Sequence, residues 1–144
     1  EAPTAIPNIR KAENLLRQSL GMHDPLFSKL GTVELLRASS LLHKGLEGEE
    51  LSKSDRAKSL YLLGLSYAKL PSYFINELPE FFLEQCIREN PGTTEAKKAY
   101  KLYKDVVTLG FTGSSGTHLP PDIQLKLRDL HDMAYENLTV SLGD

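Results

Sequence analysis

The chain has 144 residues, 40% of them hydrophobic and 25% charged, with a formal net charge of -2. That length supports one domain with a real core, and the slightly acidic balance argues against a nucleic-acid partner, which would require a basic excess. No apolar run approaches the ~20 residues that span a bilayer, because the richest windows, Ser59–Leu70 and Tyr73–Ile87, are broken by glycine, proline and charge.

The chain opens Glu1-Ala2-Pro3-Thr4-Ala5-Ile6-Pro7, without methionine and with two prolines among small residues. Residues 1–6 read as a disordered leader or linker of the kind that follows a removed signal or a lipid-anchored end. The expected setting is therefore exported, periplasmic or lipid-anchored, with a cytoplasmic one as the alternative. Residues 7–142 are expected to form a single all-helical domain, since alternating runs and hairpin-turn dipeptides are missing while helical periodicity recurs.

The first helix is predicted from about Pro7 to Leu20, with Ile9, Ala12, Leu16 and Leu20 on one face and Gly21 as a stop. A loop through His23-Asp24-Pro25 and a short turn at Leu26–Leu30 follow. The second helix is expected to start after Gly31-Thr32 as cap and to send Val33, Leu36, Leu42 and Leu46 inward, with Gly45 and Gly48 loosening its end. Ser52-Lys53-Ser54-Asp55 has the form of a capping box and opens the third helix, which stops at Leu70-Pro71. Within it Leu60, Leu63, Gly64 and Tyr67 fall on one face, leaving a notch at Gly64 for a second helix.

Pro71 and Pro79 resist a continuous fourth helix, so a turn at Ser72–Asn76 is expected, with Pro79 at the first position of the helix that follows. Phe82, Leu83, Cys86 and Ile87 would face inward, and Asn90-Pro91 would end it. The aromatic side chains of Tyr73, Phe74, Phe81 and Phe82 exceed what one face can bury. They must pack under the first hairpin or against a second protomer, so an oligomer is one expected arrangement. The fifth helix starts from Thr93 or Thr94 and carries Ala96, Ala99, Tyr100, Tyr103 and Val107 inward. Gly110 to Leu119 reads as an irregular, mobile loop. The sixth helix begins at Pro120-Pro121-Asp122 with Ile123, Leu127, Leu130, Ala134 and Leu138 on its core face.

Leu60-x-x-Leu63-Gly64-x-x-Tyr67 resembles the first helix of a tetratricopeptide repeat, whose pattern is W-x2-L-G-x2-Y, with Leu60 in the tryptophan position. Leu83, Cys86 and Pro91 fall at spacings like those of the second helix once a short insertion at Pro71–Pro79 is allowed. Ala96, Ala99, Tyr100 and Tyr103 look like the next first helix, although Tyr100 stands where a small residue is usual. The resemblance covers Ser54 to Val107 and implies an all-α fold, antiparallel hairpins stacked as a short α-solenoid of about six helices.

Candidate chemistry is sparse. His23, His43, His118 and His131 lack metal-ligand spacing, so neither metal nor cofactor is expected. Gly110-x-x-Gly113-x-x-Gly116 lacks the preceding strand and following helix start that a phosphate cradle needs. Ser114, Ser115 and His118 lack a nucleophile elbow, and Cys86, the one cysteine, falls on an apolar face as a small core residue. Glu47, Glu49 and Glu50 flank a glycine-rich turn and read as solvated charge. No enzymatic activity is expected.

What stands out is a basic stripe. Lys97, Lys101 and Lys104 recur at i, i+4 and i+7 on the fifth helix. The repeat register, taken from the resemblance, places them on the ligand-facing side beside Tyr61 and Leu65, with Lys58 at the margin. These six residues form the expected partner-binding site, a lysine-lined groove for a peptide or protein segment carrying acidic groups. The expected function is a non-catalytic protein–protein interaction module, an adaptor or assembly factor. The alternative is a small-ligand carrier with a pocket lined by Tyr61, Tyr67, Tyr100 and Tyr103.

Overall fold

The computed structural model describes residues 5–21, 28–48, 51–70 and 77–136. Six α-helices run through them: α1 (Ala5–Gly21), α2 (Ser28–Glu47), α3 (Lys53–Lys69), α4 (Leu78–Glu89), α5 (Thr94–Gly110) and α6 (Pro121–Ala134). Each helix packs on the next along the chain. Contacts also join α1 to α3, α3 to α5 and α4 to α6, so the hairpins stack in register as an all-α array.

Local chemistry sets the helix ends. Ser52 caps α3, its Oγ accepting the Asp55 N–H at 3.1 Å and donating to the Asp55 carboxylate at 2.8 Å. Thr93 does the same for α5, accepting from the Ala96 N–H at 3.2 Å. Pro79 sits in the first turn of α4, where no intrahelical donor is lost. Before it, Glu77 takes a left-handed backbone with φ of 68°. The expected turn at Ser72–Asn76 and the side chains of Tyr73 and Phe74 lie outside the described residues, as does Leu138.

Two apolar clusters share α3. Leu62 and Leu63 join Ile9, Ala12, Leu16, Leu35, Ala38 and Leu42 of the first hairpin. Leu60 joins Leu83, Cys86, Ile87, Ala96, Ala99, Tyr103, Leu127 and Leu130 of the later helices. Tyr61 and Phe82 touch both clusters and make the core continuous. At the boundary Tyr67 stacks on Phe82 at 5.6 Å between centroids, and its hydroxyl meets Nε2 of His43 at 2.7 Å, tying α2, α3 and α4 together.

Several expectations are corrected. Residues 5 and 6, assigned to the leader, belong to α1 with Pro7 tolerated in the first turn. Helix α2 begins at Ser28, so Gly31-Thr32 lies inside it rather than capping it. Its buried stripe is Leu35, Ala38, Ser39 and Leu42, while Val33 and Leu36 are 51% and 52% exposed. The reason is packing on two sides: Gly31 meets Ser19 of α1, Ala38 packs with the apolar residues of α1, and Ser39 lies beside Tyr67 of α3. The supposed irregular loop after α5 contains a two-stranded hairpin, β1 (Thr112–Gly113) against β2 (Gly116–Thr117). Its register is held by Thr112 Oγ1 against Thr117 Oγ1 at 2.8 Å and by Thr112 Oγ1 donating to the Thr108 carbonyl at 2.6 Å.

Candidate functional site

The six residues expected to form the partner site divide into two groups. Lys58 is held in an ion pair, its Nζ 2.8 Å from Glu13 Oε1, which ties α3 to α1. Tyr61 is half-buried between the two clusters, and burial pushes its hydroxyl above the usual tyrosine range. Leu65 is half-buried as well.

Lys97, Lys101 and Lys104 are exposed on α5, and none enters an ion pair among the described residues. Lys97 has a different partner, its Nζ lying 5.6 Å from the centroid of the Tyr135 ring. That ring stacks on His131 at 4.7 Å, and Tyr100 meets both edge-on. Lys101 and Lys104 are left as open ammonium groups on the side of α5 away from its Ala96, Ala99, Tyr103 and Val107 stripe.

The four tyrosines of the carrier alternative do not gather around one cavity. Tyr67 goes to His43 and Phe82, Tyr61 into the shared core, Tyr100 to His131, and Tyr103 to a cleft on the opposite side of α5 from the lysines. Tyr100 does not line that cleft; it packs edge-on against His131 and Tyr135 at the far end of α6.

The cleft has a volume of about 520 Å³ and opens between α4, α5 and α6. Tyr103, Val107 and Ile123 form its floor, and Phe81 and Phe111 stand at its rim, 58% and 41% exposed. Glu77, Glu80 and Glu84 line one wall, facing a single cation, Lys126. Lys126 is engaged with Glu84 at 3.0 Å, and Arg88 adds a second contact to the same carboxylate at 2.9 Å. Burial opposes the charge of Glu84, but these two cations outweigh it and hold its carboxyl below the usual range. Glu80 is the opposite case, raised by burial and then by the charge of Glu77. Neither Glu77 nor Glu80 forms an ion pair among the described residues.

No family model, no curated protein and no solved structure matches the chain.

Other candidate chemistry resolves into structure. Cys86 is fully buried, its thiol donates to the Ala57 carbonyl at 3.4 Å, and burial pushes it up to about 12. Among the described residues no group of His, Cys, Asp and Glu side chains is placed to hold a metal ion, and no helix is long and apolar enough to cross a membrane. Glu49 and Glu50 lie outside the described residues. The acidic wall of the cleft escaped the sequence reading, although Glu77, Glu80 and Glu84 recur at helical spacing. Pro79 between them marks a helix start, and the contribution of α6 across the cleft has no local signal.

Proposed function

We propose that this chain is a non-catalytic interaction module, an adaptor or assembly factor that takes an acidic peptide or protein segment along α5. The observation that carries the reading is the row of Lys97, Lys101 and Lys104, exposed and without a carboxylate partner among the described residues. A row of like charges repels itself, and an anionic segment laid along it relieves that repulsion, with half-buried Leu65 and Tyr61 offered by α3, the helix that packs against α5. On this reading α3 and α5 correspond to the ligand-facing helices of tetratricopeptide repeats. Lys58 contributes less than the sequence suggests, because Glu13 already satisfies it.

The test is selection of random displayed peptides on the intact chain. Enrichment of Asp- and Glu-bearing sequences that no longer bind a Lys101→Glu, Lys104→Glu variant is the expected result. These two positions are chosen because Lys97 also contacts Tyr135, so its replacement would disturb the α5–α6 pair. Acidic peptides that bind the variant equally well, or none that bind the chain, would remove the reading.

A further inference from the structure

We propose a second docking site on this module: the α4–α5–α6 cleft takes a basic, apolar peptide segment from a partner protein, a lysine or arginine side chain reaching Glu77 and Glu80 while a neighbouring aliphatic residue sits between Phe81 and Phe111.

Charge is the first argument. Three carboxylates face one ammonium in the cleft, and that ammonium is committed to Glu84 together with Arg88. Glu77 and Glu80 form no ion pair among the described residues; they stand three residues apart at the start of α4, and the charge of Glu77 adds to burial in disfavouring that of Glu80, with Lys126 only partly opposing them. Coulomb attraction for an incoming cation is strongest where carboxylates are partly desolvated and lack their own counterion. The anionic wall also lies at a helix start, where the positive end of α4 offsets part of the cost of holding negative charge.

Shape is the second argument. About 520 Å³ lies in the range of clefts that bind ligands, and the apolar floor and rim suit a side chain rather than a bare ion. Phe81 and Phe111 expose large ring area next to the carboxylates, and an aromatic face beside an acidic group favours arginine or lysine twice over. With Phe81 and Phe111 exposed at its rim, an extended chain can pass across the cleft and insert one or two side chains.

The lysine row and this cleft lie on different sides of α5 and carry opposite charge. Occupation of one does not depend on the other, and the two readings fail separately.

The experiment is random-peptide display on the intact chain, with counter-selection on a Glu77→Gln, Glu80→Gln variant whose thermal melt confirms folding. Sequences pairing Lys or Arg with Leu, Ile or Val should be enriched, and a purified member should lose about tenfold in affinity on the variant, as one half-buried and one exposed charge contact would give. The same peptide should bind the Lys101→Glu, Lys104→Glu variant at least as well as the parent. Failure to enrich basic sequences, or equal binding by the Glu77→Gln, Glu80→Gln variant, overturns the proposal. So does n-butylamine competing as tightly as the peptide, which would make the cleft a small-amine site. Self-association in sedimentation equilibrium that is abolished by the same two glutamines also overturns it, since a second copy would then be the occupant.

Discussion

Leu83 of α4 fills the space in which a side chain on Gly64 of α3 would begin. A Cβ placed on Gly64 would lie 2.5 Å from Leu83 Cγ, closer than real side-chain contacts allow. Both residues are fully buried, so neither can relax toward solvent. Gly64→Ala should therefore destabilise the protein by about 1–3 kcal/mol, the usual cost of overpacking, despite the roughly 1 kcal/mol that alanine gains in a helix. Urea unfolding measures it. The double variant Gly64→Ala, Leu83→Ala should lose less than the sum of the single losses, because removing Leu83 makes room for the new methyl. Additive losses would mean that the two residues do not share this space.

That notch was readable in the chain because its cause is local. Large residues at Leu60, Leu63 and Tyr67 around a glycine specify a face and a gap, and the following helix supplies the filler. Caps at Ser52 and Thr93 were legible for the same reason, since each satisfies donors within three residues. The inward face of α2 was not. Its Leu and Val residues occupy more than one side of the helix, and only the closeness of α1 and α3 selects the stripe bearing Leu35, Ala38 and Leu42 over the one bearing Val33 and Leu36. The lysine row could be read from spacing, but Glu13 as the partner of Lys58 and Tyr135 beneath Lys97 come from other helices. The cleft depends on three helices at once, and no single segment announces it.

Glu80 gives a pH-dependent signature of that cleft. Its carboxyl is raised above the ordinary range by burial and by Glu77, so its ionised form opposes folding. The penalty is full above the raised value and disappears as pH falls below the unfolded carboxyl range. Glu80→Gln should thus stabilise the protein at neutral pH by ~0.5 kcal/mol, kept small by partial solvent screening. The advantage over the parent should vanish in acid. A charge retained at a cost to stability is expected where it serves binding, so the same substitution should weaken the basic peptide. A Glu80→Gln melt identical to the parent at neutral pH would refute the electrostatic account.

Glu89 has the opposite sign. Arg56 grips it through Nε at 2.8 Å and a terminal guanidinium nitrogen at 3.0 Å, and Gln85 adds a third donor at 2.9 Å. The hydrogen bonds from Arg56 hold its carboxyl below the usual range, burial opposing them. Its stabilisation is complete above the unfolded carboxyl value and is lost as pH falls through the lowered folded value. Glu89→Gln should cost about 0.5–1 kcal/mol at neutral pH, discounted because both side chains are partly in water. Chemical denaturation of parent and variant should converge once the medium is acidic enough to protonate Glu89 in both states. A gap that persists there would assign the effect to packing.

Gly92 joins the α4–α5 turn to the end of α6. Its φ is 76°, its N–H donates to the Met133 carbonyl at 3.0 Å, and an added Cβ would lie 2.8 Å from the Glu136 carbonyl oxygen. Alanine there meets two separate objections, a left-handed backbone costing about 1–2 kcal/mol and a collision with backbone that has no rotamer to yield. The way to satisfy the second is for the end of α6 to move away, which breaks the Gly92–Met133 hydrogen bond. Gly92→Ala should therefore lower overall stability and also speed hydrogen exchange selectively in the last turn of α6, around Leu130 to Ala134. The amides of α1 and α2, which pack with each other and α3, should lose protection only by the global amount. Since the aromatic group of Tyr100, His131 and Tyr135 spans the same end of α6, near-ultraviolet circular dichroism should weaken in parallel. Uniform acceleration across all helices, with the aromatic signal unchanged, would show that this turn does not anchor α6.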